Sequence, residues 1–490
     1  MKRLLPWIAL GCVSILLFMV FLTNYTPQQA GDIANYLGVT ESVKNHFTPE
    51  LHDDDKNSLA SLVHPAYFNN PIYYNIPSPS GLRYSMHFIA YSYIITPVRI
   101  GLEALQYNPL LMFPIANSII LILTLSFLCA SLRDYKQRLM LILLVLLSPI
   151  ISFLAWPGPD AWVLCLLLLA AYWYRTKRYW QAAYITAIAS WHSQPLLILS
   201  LGMMFMATAN IWKGIIIHKT YSHLSLYSTI SRVLWLIGIL ALPYIYNYWA
   251  FGVLTPWTKL RDGWTLLYGF GIQNLQVEKF FSQIFDINTG IFWYMPVGVI
   301  AWIIVMIWAI KKNHISTTLL AISLFVTAFL YQTNPAFHYG TAGFGPSRHI
   351  VFLAPFLTFA IIEVLAGVKR RMGYGILAAY ILTQSLILTM NGWLAPDFTN
   401  SLRHTPIATY LLTHAPALYT PLPEIFVDRT NGDDADHPTS AIYKINGTCT
   451  KAYILPLDIP KLLTECKTGN MKTTGSIFDE RKDGMYITYE

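Results

Sequence analysis

The sequence predicts an all-α polytopic membrane protein of about eleven transmembrane helices, GT-C-like in a sense developed below, with a small C-terminal extracytoplasmic α/β or β domain. Three observations predict it. Hydrophobic residues make up 55% of the 490 residues and charged residues only 12%, with a mean hydropathy of +0.45, whereas soluble domains carry about 25% charged residues. Apolar runs recur along residues 1–390 at the length of about 20 residues that crosses a ~30 Å hydrocarbon core. The Lys and Arg residues between those runs collect in alternate short loops, and the polar remainder carries strand-like runs.

The expected spans are 4–23, 109–132, 139–156, 160–174, 179–193, 196–212, 233–250, 291–310, 315–332, 349–367 and 373–390. The first begins after Lys2 and Arg3 like a signal peptide, but it lacks a small-x-small cleavage site and is long enough to cross, so it reads as a retained helix. The stretch 179–213 as one helix would be about 50 Å long. A hairpin turning at His192-Ser193-Gln194-Pro195 fits better.

Sidedness follows from the clusters Arg133/Lys136/Arg138, Arg175/Lys177/Arg178, Lys213/Lys219/Arg232, Lys311/Lys312 and Lys369/Arg370/Arg371. With Lys2 and Arg3 they hold roughly half of the 33 Lys and Arg residues, all on one side. Cytoplasmic loops carry the basic excess, so the N-terminus is expected inside and the C-terminus outside. The net charge of +8 then reflects membrane orientation. No nucleic acid partner is implied, since no basic patch interleaves with aromatics in a polar segment.

Four regions fall outside: 24–108, the turn 156–160, residues 251–290, and the tail 391–490. The first outer loop, 24–108, holds Asp53-Asp54-Asp55, the aromatic run Asn70-Pro71-Ile72-Tyr73-Tyr74-Asn75 and an apolar stretch, 84–105. Pro97 and the charges Arg99 and Glu103 argue against a crossing there, so one or two helices lying in the membrane interface are expected. The tail has strand-like runs, Ala452-Tyr453-Ile454-Leu455 and Met485-Tyr486-Ile487-Thr488, separated by the turn signals Asn431-Gly432 and Asn446-Gly447. Cys12, Cys129 and Cys165 sit in spans, while Cys449 and Cys466 lie outside, where an oxidising compartment lets them pair.

Asp32 is the sharpest single residue, a carboxylate just outside the first span, in Gly31-Asp32-Ile33-Ala34-Asn35-Tyr36. Ionisable groups at membrane boundaries lean functional, though Asp32 also stands where a helix would begin. Asp160, in Trp156-Pro157-Gly158-Pro159-Asp160, has the same two readings with a stronger case for capping. Asp53–Asp55 and Asp433, Asp434 and Asp436 read as solvated acidic turns, since a calcium loop's remaining elements are missing. The second constellation is Phe337-His338-Tyr339-Gly340-Thr341-Ala342-Gly343-Phe344-Gly345-Pro346-Ser347-Arg348-His349. Its glycines let backbone approach a ligand, and Arg348 with His349 suits an anionic phosphate at headgroup level. Arg83 and His87, on the expected interfacial helix, are further candidates for that task, whereas Trp191-His192 reads as a helix-end pair. Many of the Trp and Tyr residues mark interfacial belts.

This layout resembles the GT-C-type integral membrane glycosyltransferases, which use polyprenyl-phosphate sugars as donors. An early Gly-Asp…Tyr (Asp32, Tyr36) follows the first span. Phe280-Phe281-Ser282-Gln283-Ile284-Phe285-Asp286-Ile287-Asn288-Thr289-Gly290-Ile291-Phe292-Trp293-Tyr294-Met295-Pro296 looks like the family's lead-in to a late span. Gly343 to His349 is similar to its Ser-Phe-Gly-x-Arg-Tyr segment, with His in place of Tyr. The resemblance covers residues 1–390 in layout and implies Asp32 as catalytic carboxylate and Arg348 as the donor-phosphate contact. Many members carry a paired acid in the first loop, whereas Ile33 follows Asp32. That departure suits a metal-independent variant with no cofactor.

The implied partners are a polyprenyl-phosphate-linked sugar donor, membrane lipid, and a glycan, lipid or protein acceptor. The implied place is a bacterial inner membrane with the N-terminus cytoplasmic and the C-terminus periplasmic. A transporter or flippase of a lipid-linked saccharide would share the many spans, but would show internal repeats with broken spans at matching positions. An oligosaccharide polymerase or ligase is closer in chemistry and would keep its large loop late in the chain.

Overall fold

A computed structural model describes residues 4–29, 32–64, 76–218, 223–256, 271–432, 439–458, 460, 464–466, 471–472 and 484–489. Gly31, the aromatic run 70–75, Lys219, and Asp433, Asp434 and Asp436 lie outside them. The chain opens with helices α1 (Leu5–Met19), α2 (Ile33–His46) and α3 (Asp53–Leu62). A two-stranded antiparallel ribbon, β1 (Ile76–Pro77) and β2 (Arg83–Tyr84), precedes α4 (Ala90–Ala104). Then come α5 (Met112–Ser131), α6 (Tyr135–Leu146), α7 (Asp160–Arg175), α8 (Tyr179–Ala189), α9 (Leu196–His218) and α10 (His223–Phe251). The apolar part ends with α11 (Val277–Phe285), α12 (Ile291–Tyr294), α13 (Pro296–Lys311), α14 (Ile315–Leu330), α15 (Ala354–Gly367) and α16 (Arg370–Met390).

Among the described residues, five helices are long and apolar enough to cross a membrane: Leu5–Thr23, Pro109–Ser131, Tyr227–Phe251, Ile315–Thr333 and Arg370–Met390. Each falls on an expected span. The shorter apolar helices Leu196–Ile211, Pro296–Lys311 and Val351–Gly367 fall on three more. Two of the other three expectations change. Residues 139–156 are not one helix: α6 stops at Leu146, the Ser148 hydroxyl accepts from the Ile150 amide, and Pro149–Leu154 winds as a 3-10 turn. Pro149 disfavours helical geometry in the residue before it. The stretch 160–174 forms the 16-residue α7 with the expected bounds to within one residue, whereas 179–193 shrinks to the 11-residue α8. At ~1.5 Å per residue α8 spans ~17 Å, little more than half the core. The break expected near His192–Pro195 is present, separating α8 from α9.

The core centres on α7, which is buried along most of its length and is packed by α5, α8 and α15. Within residues 24–108, α4 packs on α2. The Arg99 guanidinium on α4 is buried and donates at 2.6 Å to Glu41 of α2 and at 2.8 Å to Glu103. The charges expected to hold 84–105 in the interface are therefore mostly spent on an internal contact, while Tyr93, Ile94 and Ile100 stay exposed.

The tail folds as α17 (Pro406–His414), α18 (Pro423–Asn431) and an antiparallel sheet of β3 (Ala441–Ile445), β4 (Thr448–Ile454), β5 (Met471–Lys472) and β6 (Met485–Tyr489), in the order β3-β4-β6-β5. Both strand-like runs form strands, and Ala452 faces Ile487 across the β4–β6 pair. Asn446 and Gly447 both have positive φ, 49° and 82°, as a two-residue type I′ hairpin needs. Asn431-Gly432 plays another part: Gly432, at φ 70°, ends α18 with its amide bonded to the Asp428 carbonyl. Cys449 and Cys466 are disulfide-bonded; closing a loop of this size stabilises by ~3 kcal/mol.

The tail docks on the lead-in to α13 through buried polar contacts. Asp286 accepts from the amides of Asn288 and Thr289 and from the Tyr419 hydroxyl at 3.0 Å. The Asn288 amide group donates to Tyr419 Oη at 2.7 Å, and its oxygen accepts from the Thr405 amide at 2.9 Å. Lys279 meets Glu424 at 3.2 Å and His338 meets Asp428 at 2.9 Å, all four side chains buried. The His404 ring lies between Asn288 Nδ2 at 3.3 Å and Thr430 Oγ1 at 3.0 Å. Since Asn288 Nδ2 is a donor, Nδ1 of His404 accepts and Nε2–H donates.

Burial, and then the nearby Arg429 charge, push the His404 pKa down to about 3. The ring is neutral in the fold, while the unfolded chain takes up a proton below about pH 6.5. The unfolded state binds more protons between those values, so stability is full above the unfolded pKa and falls on acidification. Going from pH 7 to pH 5 should lower the stability of the tail against unfolding by about 2 kcal/mol. Thermal unfolding of the tail followed across that range should show the loss, and His404→Gln should flatten it.

Candidate active site

Asp32 occupies the cap position of α2, yet its side chain makes no capping hydrogen bond. Its Oδ2 turns instead to His87 Nε2 at 3.4 Å and to an Arg348 guanidinium nitrogen at 3.7 Å. Three stretches far apart in sequence thereby meet at the wall of a cavity of about 340 Å³. Asp160, Tyr36, His192 and His349 face the same space. Asp160 is the first residue of α7, whose cap position is held by Pro159.

Tyr36 stacks on the His87 ring, with centroids 5.1 Å apart and planes 28° apart, and sets its edge against Tyr91 at 5.6 Å. Burial first, then the negative charges of Asp32 and Asp160, push its pKa well above the ordinary tyrosine value. Its hydroxyl therefore keeps its proton and can donate a hydrogen bond into the cavity.

Arg348 is positioned by the loop before it. The Ser347 hydroxyl donates to the Phe337 carbonyl at 2.7 Å, and the Ser347 amide donates to the Thr289 carbonyl at 3.2 Å. Gly340, at φ +73°, lies against the Arg348 side chain: a Cβ there would come within 2.5 Å of Arg348 Cδ. The glycines were expected to let backbone approach a ligand. Gly340 instead clears space for the arginine.

One expectation does not fit. Arg83 is not among the cavity residues. It lies on β2, paired against Pro77, with its guanidinium 3.9 Å from Asp53. Since α4 begins only at Ala90, Arg83 and His87 share no helix face. The run 280–296 does lead into the apolar helix α13, as expected, and it also holds the tail through Asp286 and Asn288. His192, conversely, was passed over as a helix-end residue. Both its ring nitrogens are buried without hydrogen-bond partners, and its ring lies 5.2 Å from Trp162 and 6.1 Å from Tyr36. Its place in a turn on the expected outer side was the available signal.

The sidedness of the cavity is consistent along the chain. Its walls come from residues 32–36, 87–88, 156–164, 191–198, 256, 330–334 and 348–352, and these stretches lie at outer loops or at expected outer ends of spans. A second cavity of about 630 Å³ is walled by residues around Arg175–Tyr179, Trp308–Thr317 and Glu363–Val368, which were all expected on the inner side. Asp32, Asp160 and the histidines are metal-ligand types, but among the described residues the one grouping of three such ligand atoms within 4.8 Å lies outside this cavity. Compared with known proteins, the chain matches no family model, no curated protein and no solved structure.

Proposed function

We propose that this protein is a membrane glycosyltransferase that moves a sugar from a polyprenyl-phosphate donor to an acceptor hydroxyl at the outer face of the membrane. The observation that carries the reading is the meeting of Asp32 with Arg348 and His87 at one cavity. It sets a proton acceptor beside a cation, with further ionisable groups around them. The donor's lipid tail lies among the apolar helices and its phosphate engages Arg348, whose planar guanidinium suits phosphate oxygens. Asp32 takes the proton from the acceptor hydroxyl as that oxygen bonds to the anomeric carbon. The bond from that carbon to the phosphate oxygen breaks, and the lipid phosphate leaves with its electron pair. General-base help of this kind is worth about 10²–10⁴-fold, and a cation held where charge develops adds to it. His87, stacked on Tyr36, keeps Asp32 oriented between turnovers.

Two variants separate the roles. Asp32→Asn keeps the shape but cannot accept a proton, so turnover should be abolished while donor affinity stays nearly intact. Arg348→Ala removes a charge-assisted contact worth ~1.5–3 kcal/mol and should weaken donor binding about 10- to 150-fold. Gly340→Ala should reproduce part of that loss by displacing the arginine. Donor binding and single-turnover assays in membranes check all three. Near wild-type turnover in Asp32→Asn would move the base elsewhere, with Asp160 next in line.

The reading includes eleven crossings with the N-terminus inside and the C-terminus outside, in a bacterial inner membrane. It is supported by the separation of the two cavities between outer and inner stretches of the chain. Reporters fused after Lys311 and after residue 400 should register cytoplasm and periplasm respectively. The reverse pattern would put Asp32 on the wrong side for a lipid-linked donor.

A further inference from the structure

We propose that His46, His52 and Asp54 form a transition-metal site of the zinc class, clamping the turn between α2 and α3. One ligand atom from each of the three lies within 4.8 Å of the others. Two imidazoles and a carboxylate are a donor set that zinc takes at ~2.0–2.2 Å, with a fourth position left for water. The approach needed is small. His46 Nε2 is already 3.5 Å from Asp54 Oδ2, and the two imidazole rings lie 4.1 Å apart.

Two further observations point to a cation here. The first is His46 Nε2 itself: it is buried and has no hydrogen-bond partner, while carboxylate oxygens of Asp54 and Asp55 stand 3.4–3.5 Å away. Neither contact is a hydrogen bond, and an ion bound between ring and carboxylate would satisfy both. The second is the frame. Asp55 is fully buried and accepts from the Asn45 side chain at 2.9 Å and from the His52 amide at 3.1 Å, so it ties the end of α2 to the start of α3. The Ser42 hydroxyl donates to the Thr48 carbonyl at 2.9 Å, and the Leu51 amide to the Arg83 carbonyl at 2.9 Å. The turn carrying the ligands is thus fixed before any metal arrives, and outer partners of this kind set ligand orientation. The site stands at the far end of α2 from Asp32, about 21 Å along the helix. It therefore serves to hold the first outer segment and takes no part in sugar transfer.

The test uses the full chain in detergent, stripped with a chelator and titrated with zinc, with bound metal counted by mass spectrometry. Cobalt absorption in the visible reports the coordination geometry. One zinc per chain is expected. Asp54→Asn should lower affinity at least 10- to 100-fold, since loss of even an outer-sphere partner costs that much; the side chain is 71% exposed, so the fold should tolerate the change. His52→Ala should do the same, and Asp32→Asn should leave binding unchanged. Absence of stoichiometric zinc in the wild type would overturn the proposal. So would retention in both Asp54→Asn and His52→Ala, or loss confined to Asp32→Asn, which would place the ion in the cavity.

Discussion

Charge is scarce in this chain, and burying an unpaired ion costs several kcal/mol, so several of the charges drawn inside the fold are paired with a partner from a distant part of it. Asp32 reaches Arg348, Glu41 reaches Arg99, Lys279 reaches Glu424 and Asp428 reaches His338. Breaking a buried pair by removing one partner costs about 3–5 kcal/mol, a large fraction of a typical domain's stability. Each pair therefore fixes which segment may lie beside which. The apolar helices alone leave that open, because one greasy surface packs on another with little discrimination.

The candidate site inherits its rigidity from this arrangement. Asp32 is held at the start of α2, and the other end of α2 is tied to α4 through Glu41 and Arg99. Arg348 is held by a loop bonded to Phe337 and Thr289. Those neighbours belong to the segments on which the tail docks. The cavity and the tail thus share a wall, and a disturbance at their junction has a short route to the arginine.

How much of this was legible in the sequence depends on the range of the interaction. Asp32, Asp160, Arg348 and His349 were readable because the sidedness expected from the basic loops put them on one face, and one face of a bundle has few places for polar groups. The hairpin at Asn446-Gly447 was readable because its demand for positive φ is local. Arg83 misled because the apolar stretch beside it implied one interfacial helix, and the chain there is a short strand followed by a turn. Residues 139–156 misled because hydropathy averages over the break at Pro149. His192 offered only its place in a turn, and His404 and the partners of Lys279 could not be read at all, since their meaning lies in neighbours a hundred or more residues away. Gly340 was flagged for a ligand and turned out to accommodate a side chain of its own fold.

The docking of the tail bears on how such a protein can be cut and recombined. A border at residue 391 looks natural in the sequence. A chimera joined there would strand Lys279, Asp286 and His338 on one parent and Glu424, Tyr419 and Asp428 on the other. Asn288 is the sternest test, because its side chain bonds Thr405, Tyr419 and His404 at once. A foreign tail would have to present all three at the same places. The heritable unit is therefore discontinuous: residues 391–490 together with the stretches 279–294 and 337–348, which a successful exchange would have to carry as one.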